Sequence, residues 1–316
     1  NPIKKILRVF SSIQIDVNEN GISDINPLTR LPKNVNSNEY EQIYQDHFLN
    51  YTNTDRYEPL SEQGPMLIIS YGDFMDEMQP FVDWKNYKGI PTEMVDIADI
   101  GGVSDMEQYI EDAYYNDGIT YVLLVGDISQ IETIRRSDGA GSSSPSDNSL
   151  SFTAGNDAYP DLFIGRFSAE TGSHVTTMVD RTIEYEMEPD PSSDWYKKGS
   201  GFASDQGPGD DGEYDTEHLN NIREILLDYT YIQIDQVYDP TGTVAEGEAF
   251  INEGRSIINY TGHGSNSSWG NGCPMNNTDV NGLTNAGKYP FIWSVACVNG
   301  EFHLGTCFAE TWLRAT

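Results

Sequence analysis

"TYVLLVGD" (120–127) sets a tyrosine and four aliphatic residues in unbroken succession before a glycine and an aspartate. A strand with one wet face alternates apolar and polar residues. This run is apolar on both sides of the pleat, the pattern of a strand in a parallel sheet covered by helices on both faces. "MLIIS" (66–70), "TEMVDI" (92–97), "DLFIGRF" (161–167), "SIINY" (256–260) and "FIWSV" (291–295) are further runs of the same length class. Between them, residues 75–89, 104–118, 172–188 and 215–229 carry apolar side chains three and four positions apart, the spacing of amphipathic helices. Strand alternating with helix gives an α/β fold built on open, mainly parallel sheets.

Two prolines in "EPDPSSDWYKKG" (188–199) mark a boundary, which divides the main body into units 57–190 and 191–316. "SDGAGSSSPSDNSLS" (137–151) reads as a surface loop within the first unit. Upstream, "KKILRVFSSIQIDV" (4–17) reads as one strand and is followed by a polar stretch to about Gly64, so residues 1–56 form an appendage to the main fold. Within it, "DVNENGISD" (16–24) has Asp16, Asn18, Asn20, Gly21 and Asp24 at the spacing of a calcium loop, but a proline replaces the closing glutamate and a polar turn fits better.

The 316 residues carry 50 acidic against 18 basic side chains, a formal charge of −32. No lysine or arginine stripe is available to displace phosphate counterions, which argues against a nucleic-acid partner. No apolar run has the length of a transmembrane helix, and the balance suits an exported protein, a calcium binder or a site that attracts cations. Three cysteines, Cys273, Cys297 and Cys307, are too few for a disulfide framework. A thiol with a chemical role becomes a sensible question.

His263 follows the run 256–260 by three residues, between two glycines, and Cys297 follows 291–295 by two. Each is therefore placed where a buried strand emerges at its carboxyl end, which is where open α/β sheets build their sites. A short helix in 278–287 can return the chain and lay the two strands side by side, about 5 Å apart. An imidazole near a thiol favours the nucleophilic thiolate, and glycines beside it allow backbone N–H groups to approach an oxyanion. The plain alternative is a turn histidine and a small core cysteine.

"NYTGHGSNSSWG" (259–270), "LTNAGKYPFIWSVACVNGEF" (283–302) and "CFAETWLRA" (307–315) together resemble the gingipains, cysteine endopeptidases of the C25 family in the caspase-like clan. "FVDWKNYKGIPTEM" (81–94), "GNDAYPDLFIGRFSAE" (155–170) and "DRTIEYE" (180–186) agree in the same order, so the resemblance runs from about residue 57 onward. It implies a caspase-like fold of two subdomains preceded by the tail of a prodomain. It also implies a secreted or surface endopeptidase needing no cofactor for its chemistry, with structural calcium compatible with the acidic excess.

Carried over by position, His263 is similar to the family's catalytic histidine and Cys297 to its nucleophile. The N–H groups of Gly264 and Cys297 resemble its oxyanion hole. Asp205 is the choice for the acid that orients the imidazole, with Asp210 and Asp211 open. Asp215, in "GEYD", resembles the aspartate at the base of the S1 pocket of the arginine-specific members, with Glu213 as the competing carboxylate and helix capping as the plainer role. Cleavage between Arg56 and Tyr57 would release the pro-segment, the enzyme's own partner. The family's catalytic domain continues with more strands, part of the S1 wall and an immunoglobulin-like domain, so the sequence is expected to stop within it. A C25 sortase-like transpeptidase and a non-catalytic, calcium-dependent surface module are the competing functions. His47, His174, His218 and His303 lack surrounding chemistry and read as structural or solvated. Cys307 reads as packed, and Cys273 as an exposed loop residue.

Overall fold

The computed structural model describes residues 30, 37–48, 64–137, 143–187, 189–209 and 212–316. The expected strand 4–17, the loop 16–24, the Arg56–Tyr57 junction, Asp210 and Asp211 lie outside the described residues. In chain order the elements are α1 (Asn38–His47), β1 (Met66–Ser70), α2 (Met75–Tyr87), β2 (Thr92–Asp96), α3 (Ile97–Ile100), α4 (Val103–Asp117) and β3 (Tyr121–Val125). There follow β4 (Arg135–Ser137), β5 (Ser143–Pro145), β6 (Phe163–Phe167), α5 (Gly172–Met187), β7 (Lys198–Ala203), α6 (Asp215–Tyr229), β8 (Gln233–Tyr238) and α7 (Val244–Glu253). The chain ends with β9 (Ile257–Thr261), β10 (Gly264–Ser265), β11 (Ser268–Trp269), α8 (Asn277–Asn281), β12 (Phe291–Val295) and α9 (Phe308–Arg314).

Two parallel sheets result. The first has the order β2-β1-β3-β6 and the second β12-β9-β7-β8. The pleat divides the apolar run that suggested the fold. Val122 and Leu124 join Leu67 and Ile69 against Met106 and Ile110 of α4, while Leu123 and Val125 join Ile68 against Met78 and Phe81 of α2 and Val175, Met178 and Val179 of α5. Both faces are thus dry, which is why the run could not alternate. In the second sheet Phe202, Ile258 and Tyr260 pack under Trp269, Ile251 of α7, Val280 of α8 and Phe308 of α9.

β7 and β8 were not visible as apolar runs. β7 reads "KGSGFA", and its glycine content has a steric cause: a Cβ on Gly199 would lie 2.7 Å from Ile257 Cγ2 and 2.9 Å from Ile234 Cδ1. The neighbouring strands close over this interior strand and leave no room for a side chain. β8, "QIDQVY", buries Ile234 and Val237 while its other residues are half-buried or exposed. Helices α1, α7 and α9 also lay outside the sequence expectation. Within the expected surface loop 137–151, β5 pairs antiparallel with β4, and a 3₁₀ turn buries Leu150.

Of the amino-terminal appendage, α1 meets the first sheet through Tyr40, and Arg30 meets α4. Tyr40 of α1 lies 5.0 Å from Phe163 between ring centroids, and the Arg30 guanidinium stacks over Tyr115 while donating to Asp112 and Asn116 at 2.9 Å each. Phe163 is the first residue of its strand, so α1 docks at the amino end of that strand. Among the described residues, no helix is long and apolar enough to cross a membrane.

Candidate active site

β9 and β12 are neighbours in register, with Thr261 opposite Val295. His263 and Cys297 therefore leave the same carboxyl edge, each two residues beyond a paired position, and both are exposed. This is the juxtaposition expected from the two apolar runs and the short helix between them. α8 supplies that helix, ending at Asn281 rather than near residue 287.

The loops carrying the pair touch through their backbones. A Cβ on Gly264 would stand 2.6 Å from the Cys297 carbonyl oxygen and 2.8 Å from Ala296 Cβ. Any side chain there would force the loops apart, so glycine is a requirement of the approach. Immediately after Cys297 the chain turns through Val298 at φ 53°, the one non-glycine residue with positive φ among the described residues. A β-branched residue in that region costs about 1–3 kcal/mol, strain of a kind that concentrates at functional sites.

Three residues that sequence reasoning missed hold the His263 loop. The His263 N–H donates to Asn271 Oδ1 at 3.0 Å, and Asn271 Nδ2 donates to Asp239 Oδ2 at 2.7 Å. Asp239 follows β8 and also accepts the Gly272 N–H at 2.8 Å. The Tyr260 hydroxyl donates to the His263 carbonyl and accepts the N–H groups of Gly270 and Asn271 at 3.1 and 3.2 Å. Burial above all keeps this phenol above its ordinary range, so it remains a donor. Tyr260→Phe leaves two N–H groups and a carbonyl without this partner. It is expected to lower stability by about 1–3 kcal/mol in urea titrations. A loss below about 0.5 kcal/mol would show that water replaces the hydroxyl freely.

The carboxylates fall into two groups. Asp205 follows β7 by two residues, and because Ala203 pairs with Thr261 it occupies the same sheet edge as His263. Its carboxylate is exposed, and among the described residues neither it nor the His263 ring is hydrogen-bonded. Asp215 is half-buried and accepts a short hydrogen bond from the hydroxyl of Ser204, the residue after β7. The N-cap of α6 is Tyr214 and its first residue is Asp215, which corrects the capping role considered for Asp215. A carboxylate in the first helical turn is still favoured by the dipole. Glu213 instead accepts from Asn221 at 2.9 Å and meets His218 Nδ1 at 3.3 Å, so the two carboxylates have different surroundings.

The remaining thiols are set apart by burial. Cys307 is buried as expected. Cys273 is not the surface residue expected from "GNGCPMNN": its loop folds back over the second sheet and seats the sulfur against Gly247, beside buried Met275. Desolvation pushes the Cys273 thiol up to about 12 and the Cys307 thiol up to about 11, leaving both protonated and inert at neutral pH. Among the described residues no three His, Cys, Asp or Glu side chains converge to hold a metal ion, so no donor set for structural calcium is assigned. His174 lies against Glu170 N–H at 3.3 Å, His47 against the Ile43 carbonyl at 2.9 Å, and neither is near the Cys297 edge in sequence or sheet order.

The sequence model of peptidase family C25 matches residues 60–316. The chain belongs to peptidase family C25. It is 38% identical over its whole length to gingipain R2 of Porphyromonas gingivalis and 26% identical over 98% of its length to Lys-gingipain of the same organism. The chain spans 43% of the length of the first of these C25 relatives and 18% of the second. Its fold superposes with a TM-score of 0.76 on the crystal structure of the Arg-specific cysteine proteinase gingipain R, at 38% identity, covering 82% of this chain and 61% of that one. A complex of gingipain pro- and mature domains gives the same TM-score over 80% of this chain and 60% of that chain. Caspase-like parallel sheets flanked by helices are thus the C25 architecture here too.

Proposed function

We propose that this chain carries the nucleophile, the base and part of the specificity pocket of an exported cysteine endopeptidase that cleaves after arginine. The observation that supports this most directly is the register of β9 and β12, from which His263 and Cys297 emerge side by side at a glycine-lined edge. The imidazole draws the proton from Cys297, and the thiolate adds to the scissile carbonyl carbon. The C–S bond forms as the carbonyl electron pair moves to oxygen, where the N–H groups of Gly264 and Cys297 donate to it. Collapse breaks the C–N bond, the imidazolium gives its proton to the leaving amine, and water attacks the thioester to regenerate the thiol. Asp205, on the same edge, is the carboxylate assigned to orient the imidazole.

Asp215 reads the substrate's P1 side chain. A half-buried carboxylate steadied by Ser204 offers two oxygens to the planar fork of a guanidinium, which an ammonium cannot match. The amino-terminal segment acts as the pro-segment, released by cleavage between Arg56 and Tyr57. Its described residues pack on the first unit, with α1 at the amino end of β6 and Arg30 on α4, while Cys297 and His263 lie at the carboxyl edge of the second sheet.

The test is hydrolysis of fluorogenic peptides with Arg, Lys or Ala at P1 by the full-length protein. Arg is expected to be favoured, and Asp215→Asn is expected to lower kcat/KM for the Arg peptide by roughly 30- to 1000-fold while leaving the Ala peptide nearly unchanged. An equal fall on both peptides would make Asp215 a structural residue. A wild-type preference for Lys or Ala would overturn the arginine reading.

A further inference from the structure

We propose that Asn299 is a positioning residue that sets the separation of Cys297 and His263, an inference that rests on the peptidase reading. Asn299 lies two residues beyond Cys297 and is 4% exposed. Its carboxamide joins the two segments that carry the pair. Nδ2 donates to the carbonyls of Ser265 and Ser268 at 2.6 and 3.0 Å, both in the β10–β11 hairpin that begins directly after His263. Oδ1 accepts from Ser294 Oγ at 2.8 Å, in the strand that leads to Cys297. Ser294 in turn accepts from Trp269 Nε1 at 2.8 Å, which returns the bridge to the hairpin.

The main chain of Asn299 is tied as well. Its carbonyl accepts the Ala309 N–H at 3.0 Å, and the adjoining Phe308 N–H donates to the carbonyl of Asn266 at 2.6 Å. The first turn of α9 therefore braces the Cys297 loop and the hairpin together. Nδ2 also lies 2.9 Å from where a Cβ on Gly264 would be, directly behind the backbone assigned to the oxyanion.

Both carboxamide N–H groups are consumed by main-chain carbonyls, so none remains to reach a substrate. The side chain acts by holding geometry. A buried, fully paired amide is well suited to this, because releasing it leaves two hairpin carbonyls without their donor. A displacement of about 1 Å between reacting groups costs roughly 100-fold in rate. The same displacement changes the surroundings of the Cys297 thiol.

The experiment compares wild type, Asn299→Ala and Ser294→Ala in the full-length protein. It records kcat and KM on an Arg peptide and the pH profile of Cys297 alkylation by iodoacetamide, with urea unfolding as the measure of folding. Asn299→Ala is expected to lower kcat about 100-fold with KM within about threefold, and to move the alkylation profile away from its wild-type position. Ser294→Ala removes one joint of the bridge and is expected to lower kcat about tenfold with a smaller move in the same direction. A folded Asn299→Ala enzyme with kcat within twofold and an unmoved profile overturns the proposal. If Asn299→Ala does not fold, an unmoved profile in Ser294→Ala overturns it instead. A wild-type protein that hydrolyses none of the fluorogenic peptides sinks the peptidase reading itself and is thereby distinguished from a failure of Asn299 alone.

Discussion

Cys297→Ala is expected to lower kcat on an Arg peptide by about 10⁴-fold or more, because no other group can form the acyl-enzyme. The remaining thiols cannot substitute. Cys273 and Cys307 are fully buried, and desolvation keeps their sulfurs protonated. Native alkylation provides the matching count: iodoacetamide is expected to modify Cys297 in the wild type and no thiol in the variant. Residual activity above about a hundredth of the wild-type rate would place the nucleophile elsewhere. Adding an amine acceptor to the wild-type reaction separates hydrolysis from transpeptidation, since a transpeptidase would divert the acyl group to the amine.

Arg314→Ala is expected to destabilise the full-length protein by about 3–5 kcal/mol in urea unfolding. Arg314 belongs to α9, and its guanidinium is buried between the two halves of the molecule. It donates to the Ser168 carbonyl at 2.8 Å and to Glu310 at 2.8 Å, and it lies 3.3 Å from Asp127 and 3.1 Å from Glu170. Ser168 and Asp127 follow β6 and β3 at the carboxyl ends of the first sheet, so a residue of the second half is anchored in the first. Arg181 of α5 makes a second tie by donating to the carbonyls of Trp312, Leu313 and Ala315 at the end of α9. Removing Arg314 leaves the Asp127 and Glu310 carboxylates facing each other without a cation. A loss below about 1 kcal/mol would show that water or a repacked side chain satisfies them.

The same cluster fixes the sign of a pH effect. Burial, with the Asp127 carboxylate adding to it, holds the Glu310 carboxyl above its ordinary range despite the opposing hydrogen bonds from Ser168 and Cys307 and the charge of Arg314. A carboxyl raised on folding binds its proton more tightly in the folded state. Its contribution is therefore present below the unfolded value and is lost as pH rises through the folded one. Glu310→Gln is expected to flatten that decline in the stability profile.

The elements most legible in the sequence were those whose burial is symmetric or strictly periodic. β1 and β12 coincide with their apolar runs, and α2, α4, α5 and α6 lie within two residues of the helices expected from spacing. β7 escaped because an interior strand usually reads as apolar, whereas here Ile257 and Ile234 fill the space and force glycine at position 199. Cys273 was misread because local composition reports turn chemistry and says nothing of what a loop folds back upon.

The sequence by itself determined the α/β class and the membership in a family, and it placed His263 and Cys297 at neighbouring strand ends, since strand ends and family blocks are local patterns. Only the tertiary structure decided what holds His263 and Cys297 together. Tyr260, Asn271, Asp239 and Asn299 act through partners that lie far from them along the chain or on another element. A hydrogen bond between distant segments leaves no period in either one, so it becomes visible only when the sheet brings both to a single edge.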